Sequence, residues 1–234
     1  MSSRHKLRLD WCSHEAAKYA CEKWHYSKNV PVGKIVKIGV WENGSFIGVV
    51  LFSCGSSGVG CFGKQFDASA FETCELSRVA LRRHDAQVSR IVSIAIKLLR
   101  KQSPDLRLVV SYADPEQGHT GGIYQAGNWV YTGRSAADRA YIDISGKRWH
   151  SRSISKSGWK TRLGRKTRAP KPDGMYVVYL MPKYRYLMPL DDDMRRQVEL
   201  LRKPYPKRVT STDSGVPDNQ SGGGGASPTV TLSE

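Results

Sequence analysis

Three polar residues in one short stretch could do chemistry together. In SYADPEQGHTGGIYQAGNWVYTG, residues 111–133, an aspartate (Asp114), a histidine (His119) and a tyrosine (Tyr124) recur at five-residue intervals. A carboxylate can take a proton, and a phenol can donate to an oxygen or sulfur that gains negative charge. Each residue also has a plain structural reading. Asp114, before Pro115, is a turn former. Tyr124 packs as a core aromatic. His119, between Gly118 and Thr120, has too much backbone freedom to be a pre-set base, so it ranks behind the other two.

A second constellation is basic. In RRHDAQVSR, Ser89 and Arg90 open a helix, and its unpaired N–H groups make a ready site for an anion such as pyrophosphate. Arg78, Arg82, Arg83 and Arg90 are expected around that same end, although no Walker A loop or Rossmann glycine triplet is present. The plain alternative is an ordinary first turn with solvated arginines. A third feature is WHYSK, where His25 and Tyr26 follow a helix. Cys21 and His25 stand four apart and could share a metal, but Cys12, His14, Cys21 and His25 match no zinc spacing. Cys54, Cys61 and Cys74 read as small buried or loop residues.

These residues need elements to hold them. His14–Trp24 carries Ala16, Ala17, Ala20, Cys21 and Trp24 on one helical face. Lys34–Glu42 and Ser45–Cys54 read as strands joined by an Asn43-Gly44 hairpin turn, followed by a glycine-rich loop, GSSGVGCFGK. Glu75–Leu81 is a strand, Val88–Lys101 an amphipathic helix stopped by Pro104, and Leu106–Tyr112 a buried strand leading to Asp114. Gly122–Ala126 reads as a short helix. Trp129–Gly133, Ala140–Ile144 and Met175–Met181 read as strands, and LDDDMRRQVELLRK as a helix with acids early and bases late. The order predicts an α/β fold, a mixed sheet with helices on both faces.

The whole chain of 234 residues carries 37 Lys and Arg against 21 Asp and Glu, a net charge of +16 that favours a polyanionic partner. The block 146–171 holds ten Lys or Arg and no acid, with Trp149 and Trp159 interleaved. Lys147, Arg148, Arg152, Lys160, Arg162, Arg165 and Lys166 are therefore candidate contacts to nucleic-acid phosphates, with the tryptophans as stacking surfaces. A disordered basic linker is the plain alternative. No apolar run is long enough to span a membrane, and the N-terminus has no apolar signal core. Five cysteines without framework spacing fit a reducing cytoplasm. The Gly/Ser/Pro/Thr-rich end of the chain is expected to be disordered.

Two resemblances sharpen this reading. ELSRVAL, a loop, a helix, LRLVVSYAD and then IYQAGNWVYTG resemble the core of the GNAT acyltransferase superfamily. That implies acetyl-CoA held along the first strand (Arg78, Val79) and the helix start (Ser89, Arg90), a second strand that splays away, and a tyrosine near the thioester. The loop AQVSRI lacks the glycines usual in that family. More closely, WHYSK, GSFIGVVLF, ELSRVAL, SYADPEQGHTGGIYQAGNWVYTG, KYRYLMPLD and KPYPKR resemble the Mom DNA-modification proteins of Mu-like bacteriophages, over about Leu9 to Arg208. The resemblance implies conversion of adenine in double-stranded DNA to N6-carbamoylmethyladenine, which protects phage DNA from host restriction, in the host cytoplasm. It implies catalytic roles for His25, Tyr26, Asp114 and Tyr124, acyl-CoA contacts at Arg78 and Ser89, and bound iron with unassigned ligands. The adenine amine is a poor nucleophile, its lone pair being delocalised into the ring, so removing its proton as the bond forms helps. The expected organisation is a GNAT-like catalytic core over 1–145, a basic DNA-contacting extension with a further strand and helix over 146–205, and a tail over 206–234. Two alternatives stand beside it: a conventional N-acetyltransferase acting on a protein or small amine, and a non-catalytic basic DNA-binding protein.

Overall fold

The structure, a computed structural model, describes residues 6–54, 65–69, 71–162 and 164–207. The glycine-rich loop with Cys61, the tail from 208 onward and the side chain of Arg162 lie outside the described residues.

The alternation of apolar residues along the strands builds a seven-stranded mixed sheet with helices on both faces. Strands β1 (Leu7–Trp11), β2 (Ile35–Glu42), β3 (Ser45–Ser53) and β4 (Thr73–Leu81) lie side by side and antiparallel. Asn43 and Gly44 both take positive φ in the β2–β3 turn, as a tight hairpin requires. Along β3, Val49 and Leu51 face helix α1 (His14–Trp24), whose Ala17, Ala20 and Cys21 let it approach closely. Val50 and Phe52 face the other way, toward Ile91, Val92, Ala95, Ile96 and Leu99 of α2 (Val88–Gln102). Ser13 caps α1, its side chain accepting from the Ala16 N–H at 3.2 Å.

The middle of the sheet creates the site. β4 and β5 (Leu108–Ala113) are parallel, but they pair only from Thr73 to Glu75 against Leu108 to Val110. Beyond that, β4 stays with β3 through a bulge between Leu76 and Arg78, while β5 follows β12 (Tyr184–Pro189). A gap therefore opens between two neighbouring strands, which is the splay the acyltransferase resemblance implies. Its last bridge is Ser111, whose hydroxyl donates to the Leu76 carbonyl at 2.8 Å.

After β5 come a 3₁₀ turn (Pro115–Gln117), the short helix α3 (Gly122–Gln125) and β6 (Val130–Arg134). The next strands are β7 (Asp138–Ile142), β8 (Arg148–His150), β9 (Trp159–Arg162), β10 (Arg165–Arg168) and β11 (Tyr176–Leu180); helix α4 (Asp192–Glu199) follows β12. β11, β7 and β8 form a small separate sheet, and β9 and β10 form a two-stranded hairpin. The basic block is thus strand-bearing, not a linker.

The last part of residues 146–205, a span expected as an appended extension, is woven into the core. β12 lies between β5 and β6 in the main sheet, with Tyr186 and Leu187 fully buried. Its Tyr186 hydroxyl donates to the Thr120 carbonyl at 2.5 Å and accepts from Gln125 Nε2 at 3.1 Å. Those bonds pin the loop that carries His119 and Tyr124. Neither β1 nor β12 was expected from sequence. In KYRYLMP, Lys183 and Arg185 break the apolar run, and the buried pair Tyr186–Leu187 shows no clean alternation.

Candidate active site

Side chains from four segments meet at the open end of the β4–β5 gap. Asp114 follows β5 directly and is 8% exposed. Its two oxygens are divided between the two readings offered for it. Oδ1 accepts from the Glu116 N–H at 3.1 Å, capping the 3₁₀ turn, and Oδ2 lies 2.8 Å from Lys183 Nζ. Lys183 stands on the loop before β12. Its backbone is fixed on both sides by Ser135: the Lys183 N–H donates to Ser135 Oγ at 3.0 Å, and the Ser135 N–H donates to the Lys183 carbonyl at 2.8 Å.

His119 is not a free loop residue. Gly118, with φ 69°, closes the 3₁₀ turn, and the His119 N–H then donates to the Asp114 carbonyl at 3.1 Å. Its ring meets Tyr26 nearly edge-on at 5.9 Å, and Tyr26 stacks on His25 at 4.3 Å. Burial lowers the pKa of His119, against an opposing pull from Asp114, so the ring is neutral near pH 7. His25 is 8% exposed. Burial, and after it the Arg78 charge, drive its pKa down to about 3. Its Nδ1 accepts from the Ser27 N–H at 3.1 Å, so the proton of this neutral imidazole sits on Nε2. Burial also raises the Tyr26 phenol above its usual range, although 44% of the residue is exposed. At neutral pH the cluster thus offers a carboxylate, a neutral imidazole acceptor, a phenol donor and an imidazole N–H donor.

The floor of the gap is Tyr124, wholly inside the core between Trp129 and Tyr186, with a pKa that burial pushes up to about 12. Its oxygen lies 2.7 Å from Ser111 Oγ. Ser111 has one hydroxyl hydrogen, and the Leu76 carbonyl can only accept, so the phenol's hydrogen goes to Ser111. Glu75 lies on the opposite wall. Burial raises its pKa, against opposing pulls from Arg78, Arg152 and Lys183. Arg78 sits at the bulge of β4, donates from Nη1 to the Ser77 carbonyl at 2.6 Å, and has a buried Nε with no partner.

The arginine grouping expected from sequence is therefore split. The charge of Arg78 acts on Cys21, His25, Tyr26 and Glu75, whereas Arg82, Arg83 and Arg90 are exposed around the start of α2. Ser89 is half-buried in the first turn of α2, and Val79 lies on β4 against the core. No side chain caps α2 and no acid stands in its first turn, so its N-terminus suits an anion. The preceding Asp85 and Ala86 N–H groups are already taken by the Glu42 carboxylate, at 3.0 and 2.7 Å. The uncapped first turn of α2 and the unpartnered Arg78 Nε are the groups here that could hold an anion. Among the described residues no group of three His, Cys, Asp or Glu side chains is placed to hold a metal, so they do not by themselves form an iron centre.

The Mom protein family matches residues 6–207. This chain belongs to that family. The matched span contains every residue of the cluster. Among Mom proteins, the chain is similar to Methylcarbamoylase mom of Escherichia phage Mu, with 25% identity over 209 residues, 86% of this chain and 84% of that one. A solved structure of a provisionally assigned acetyltransferase from Acinetobacter baylyi superposes with a TM-score of 0.44 at 12% identity, covering 82% of this chain and 96% of that one.

The structure brings together His25, Tyr26 and Asp114 and puts Tyr124 beneath them. It adds His119, Glu75, Lys183 and Arg152, which sequence reading ranked low or did not connect to the site. Only His119 carried a signal, its place in the same stretch as Asp114. Of the basic candidates, Lys147 lies 4.1 Å over the Trp149 ring and Arg148 pairs with Glu116 at 3.2 Å. Arg152, Arg165 and Lys166 are exposed, and Lys160 donates to the Arg152 carbonyl. A shallow depression lined by Phe71, Glu72, Arg107 and Asp191 lies at the other end of β4 and β5, where Arg107 is tied to Asp191 and Asp193. Among the described residues no helix is long and apolar enough to cross a membrane.

Proposed function

We propose that this protein is a phage DNA-modifying transferase. In this reading it converts adenine in double-stranded DNA to N6-carbamoylmethyladenine in the host cytoplasm and shields the DNA from host restriction endonucleases. The observation that carries the reading is the Asp114–Lys183 pair beside Tyr26 and His119 at the mouth of the β4–β5 gap. Membership of the Mom family and the name of the phage Mu relative support the choice of chemistry.

The residues divide the work as follows. The adenine amine becomes a usable nucleophile only as its proton leaves, and Asp114 and neutral His119 are the two acceptors at the mouth. Lys183 holds the Asp114 carboxylate in place. Tyr26 and the Nε2–H of His25 are the donors that can stabilise charge on an oxygen or a leaving group. Arg78 and Val79 on β4, with Ser89 and Arg90 at the start of α2, would hold acetyl-CoA; when bound it supplies a two-carbon unit activated as a thioester. In the carbamoylmethyl group the former methyl carbon is bonded to the adenine nitrogen, and the carbonyl carries an amide nitrogen in place of the CoA thiol. The reaction therefore also requires a two-electron oxidant to exchange the methyl C–H for C–N and a nitrogen-bearing co-substrate that displaces the thiol. An adenine stacked in duplex DNA hides its amine, so the base must be flipped outward to reach the mouth. Arg152 and Lys183 come from the basic half of the chain, which joins the DNA-facing surface to the reacting groups.

A protection assay tests this. Plasmid from cells expressing the wild-type protein should resist restriction enzymes whose sites contain adenine, and plasmid from cells expressing Asp114→Asn should be cut. Full cleavage of both, with soluble wild-type protein present, overturns the proposal.

A further inference from the structure

We infer that the β9–β10 hairpin is a DNA-binding ribbon that enters the major groove of the duplex. This rests on the DNA-modification reading above and gives it a docking element.

The hairpin stands apart from both sheets, and each of its strands pairs only with the other. Its residues 159–168, WKTRLGRKTR, include five Lys or Arg and no acid. All four residues of β10 are exposed. One face carries Trp159, 43% exposed, with Lys166 Nζ 5.4 Å and the Arg168 guanidinium 5.6 Å from its ring. An indole flanked by two cations offers charges for phosphates beside an apolar surface for base edges. Register places Lys160 opposite Thr167, on the other face, where Lys160 ties the ribbon to the Arg152 carbonyl. The base of the ribbon is clamped as well. The Ala169 N–H donates to the Gly158 carbonyl at 2.8 Å and the Ser155 N–H to the Pro170 carbonyl at 2.9 Å.

Size and position agree with this role. Two strands about 4.8 Å apart, with side chains, are about as wide as the ~12 Å major groove, and four residues per strand reach about 13 Å, more than the groove's depth of about 8.5 Å. The ribbon's anchor, Arg152, is also one of the charges acting on Glu75 in the β4–β5 gap. A ribbon seated in the groove would therefore hold the duplex beside the mouth of the site.

The test uses the full chain and its variant Arg165→Gln/Lys166→Gln/Arg168→Gln, whose three changes are all at exposed positions. Arg165→Lys/Arg168→Lys keeps the charge and controls for misfolding. Binding is measured to a duplex oligonucleotide, to one of its strands alone, to a duplex whose major groove is filled by glucosylated hydroxymethylcytosine, and to a duplex with netropsin in its minor groove. Wild type should prefer the duplex, weaken by about tenfold or more on the glucosylated duplex, and be unaffected by netropsin. Three lost phosphate contacts should lower duplex affinity by on the order of 100-fold near 0.15 M salt and flatten the salt slope by about 2.7. The lysine variant should bind like wild type. Wild-type binding matched by the glutamine variant overturns the ribbon and leaves the DNA reading standing. The same holds for equal losses on duplex and single strand, or for blocking by netropsin and not by glucosylation. A wild-type protein with no affinity for any of these DNAs overturns the DNA reading itself.

Discussion

Lys183→Met is the substitution that probes the site most sharply, because the lysine's carboxylate partner is nearly enclosed. At 2.8 Å the attraction between Lys183 Nζ and Asp114 Oδ2 is about 6 kcal/mol for an effective dielectric of about 20. Desolvation offsets most of it. The Asp114 side chain is 11% exposed and that of Lys183 41%, which places the pair between surface bridges, worth up to about 1 kcal/mol, and buried ones, whose breaking costs about 3–5. A coupling of about 2 kcal/mol follows. Urea unfolding of wild type, Lys183→Met, Asp114→Asn and the double variant closes the cycle. Lys183→Met should lower the midpoint by about 1 M at a slope of about 2 kcal/mol/M, and adding it to Asp114→Asn should cost little more. The same lysine variant should cut DNA modification by about tenfold or more, since the acceptor carboxylate loses its anchor. A coupling below about 0.5 kcal/mol, or full modification by Lys183→Met, would refute the role given to the pair.

Three further outcomes are expected. His25 has a folded pKa of about 3, below its unfolded value near 6.5, so the unfolded chain binds the proton more readily; the associated stability is complete above pH 6.5 and is lost as pH falls toward 3. Between pH 7 and pH 5 wild type should lose about 2 kcal/mol more than His25→Gln in denaturant titrations, and equal losses would contradict a buried neutral ring. Gly121, with φ 89°, has no room for a Cβ, which would fall 2.3 Å from the Tyr186 ring, so Gly121→Ala should lower the melting temperature by about 5–10 °C; an unchanged melt would show that the loop is not pinned as described. Tyr26→Phe should reduce DNA modification by about tenfold or more, and Tyr124→Phe by less, because the Tyr124 hydrogen is committed to Ser111. The reverse order would make Tyr124 the donor.

Local pattern made much of the fold legible. The α1 face, the Asn43-Gly44 turn and the α2 periodicity depend on near neighbours, and each element lies within two residues of its expected bounds. What escaped was long-range. β12 pairs with both β5 and β6, yet its Tyr-Arg-Tyr-Leu sequence carries no period that marks a central strand. The site shows the same limit. Asp114 and Tyr124 stood out because their stretch is chemically odd, whereas Lys183 finds Asp114 only through β12, and Glu75 looks like any strand residue until the sheet buries it. His119 reads as mobile from its glycine neighbour, whereas Gly118 closes the turn that fixes it.

Nucleoside mass spectrometry of plasmid DNA from expressing cells tests the central claim most directly. The account predicts a carbamoylmethyl-adenine peak with the wild-type protein and its loss, by about tenfold or more, with Asp114→Asn. Only unmodified adenine from cells that hold soluble wild-type protein, or an undiminished peak from the Asp114→Asn variant, would contradict it.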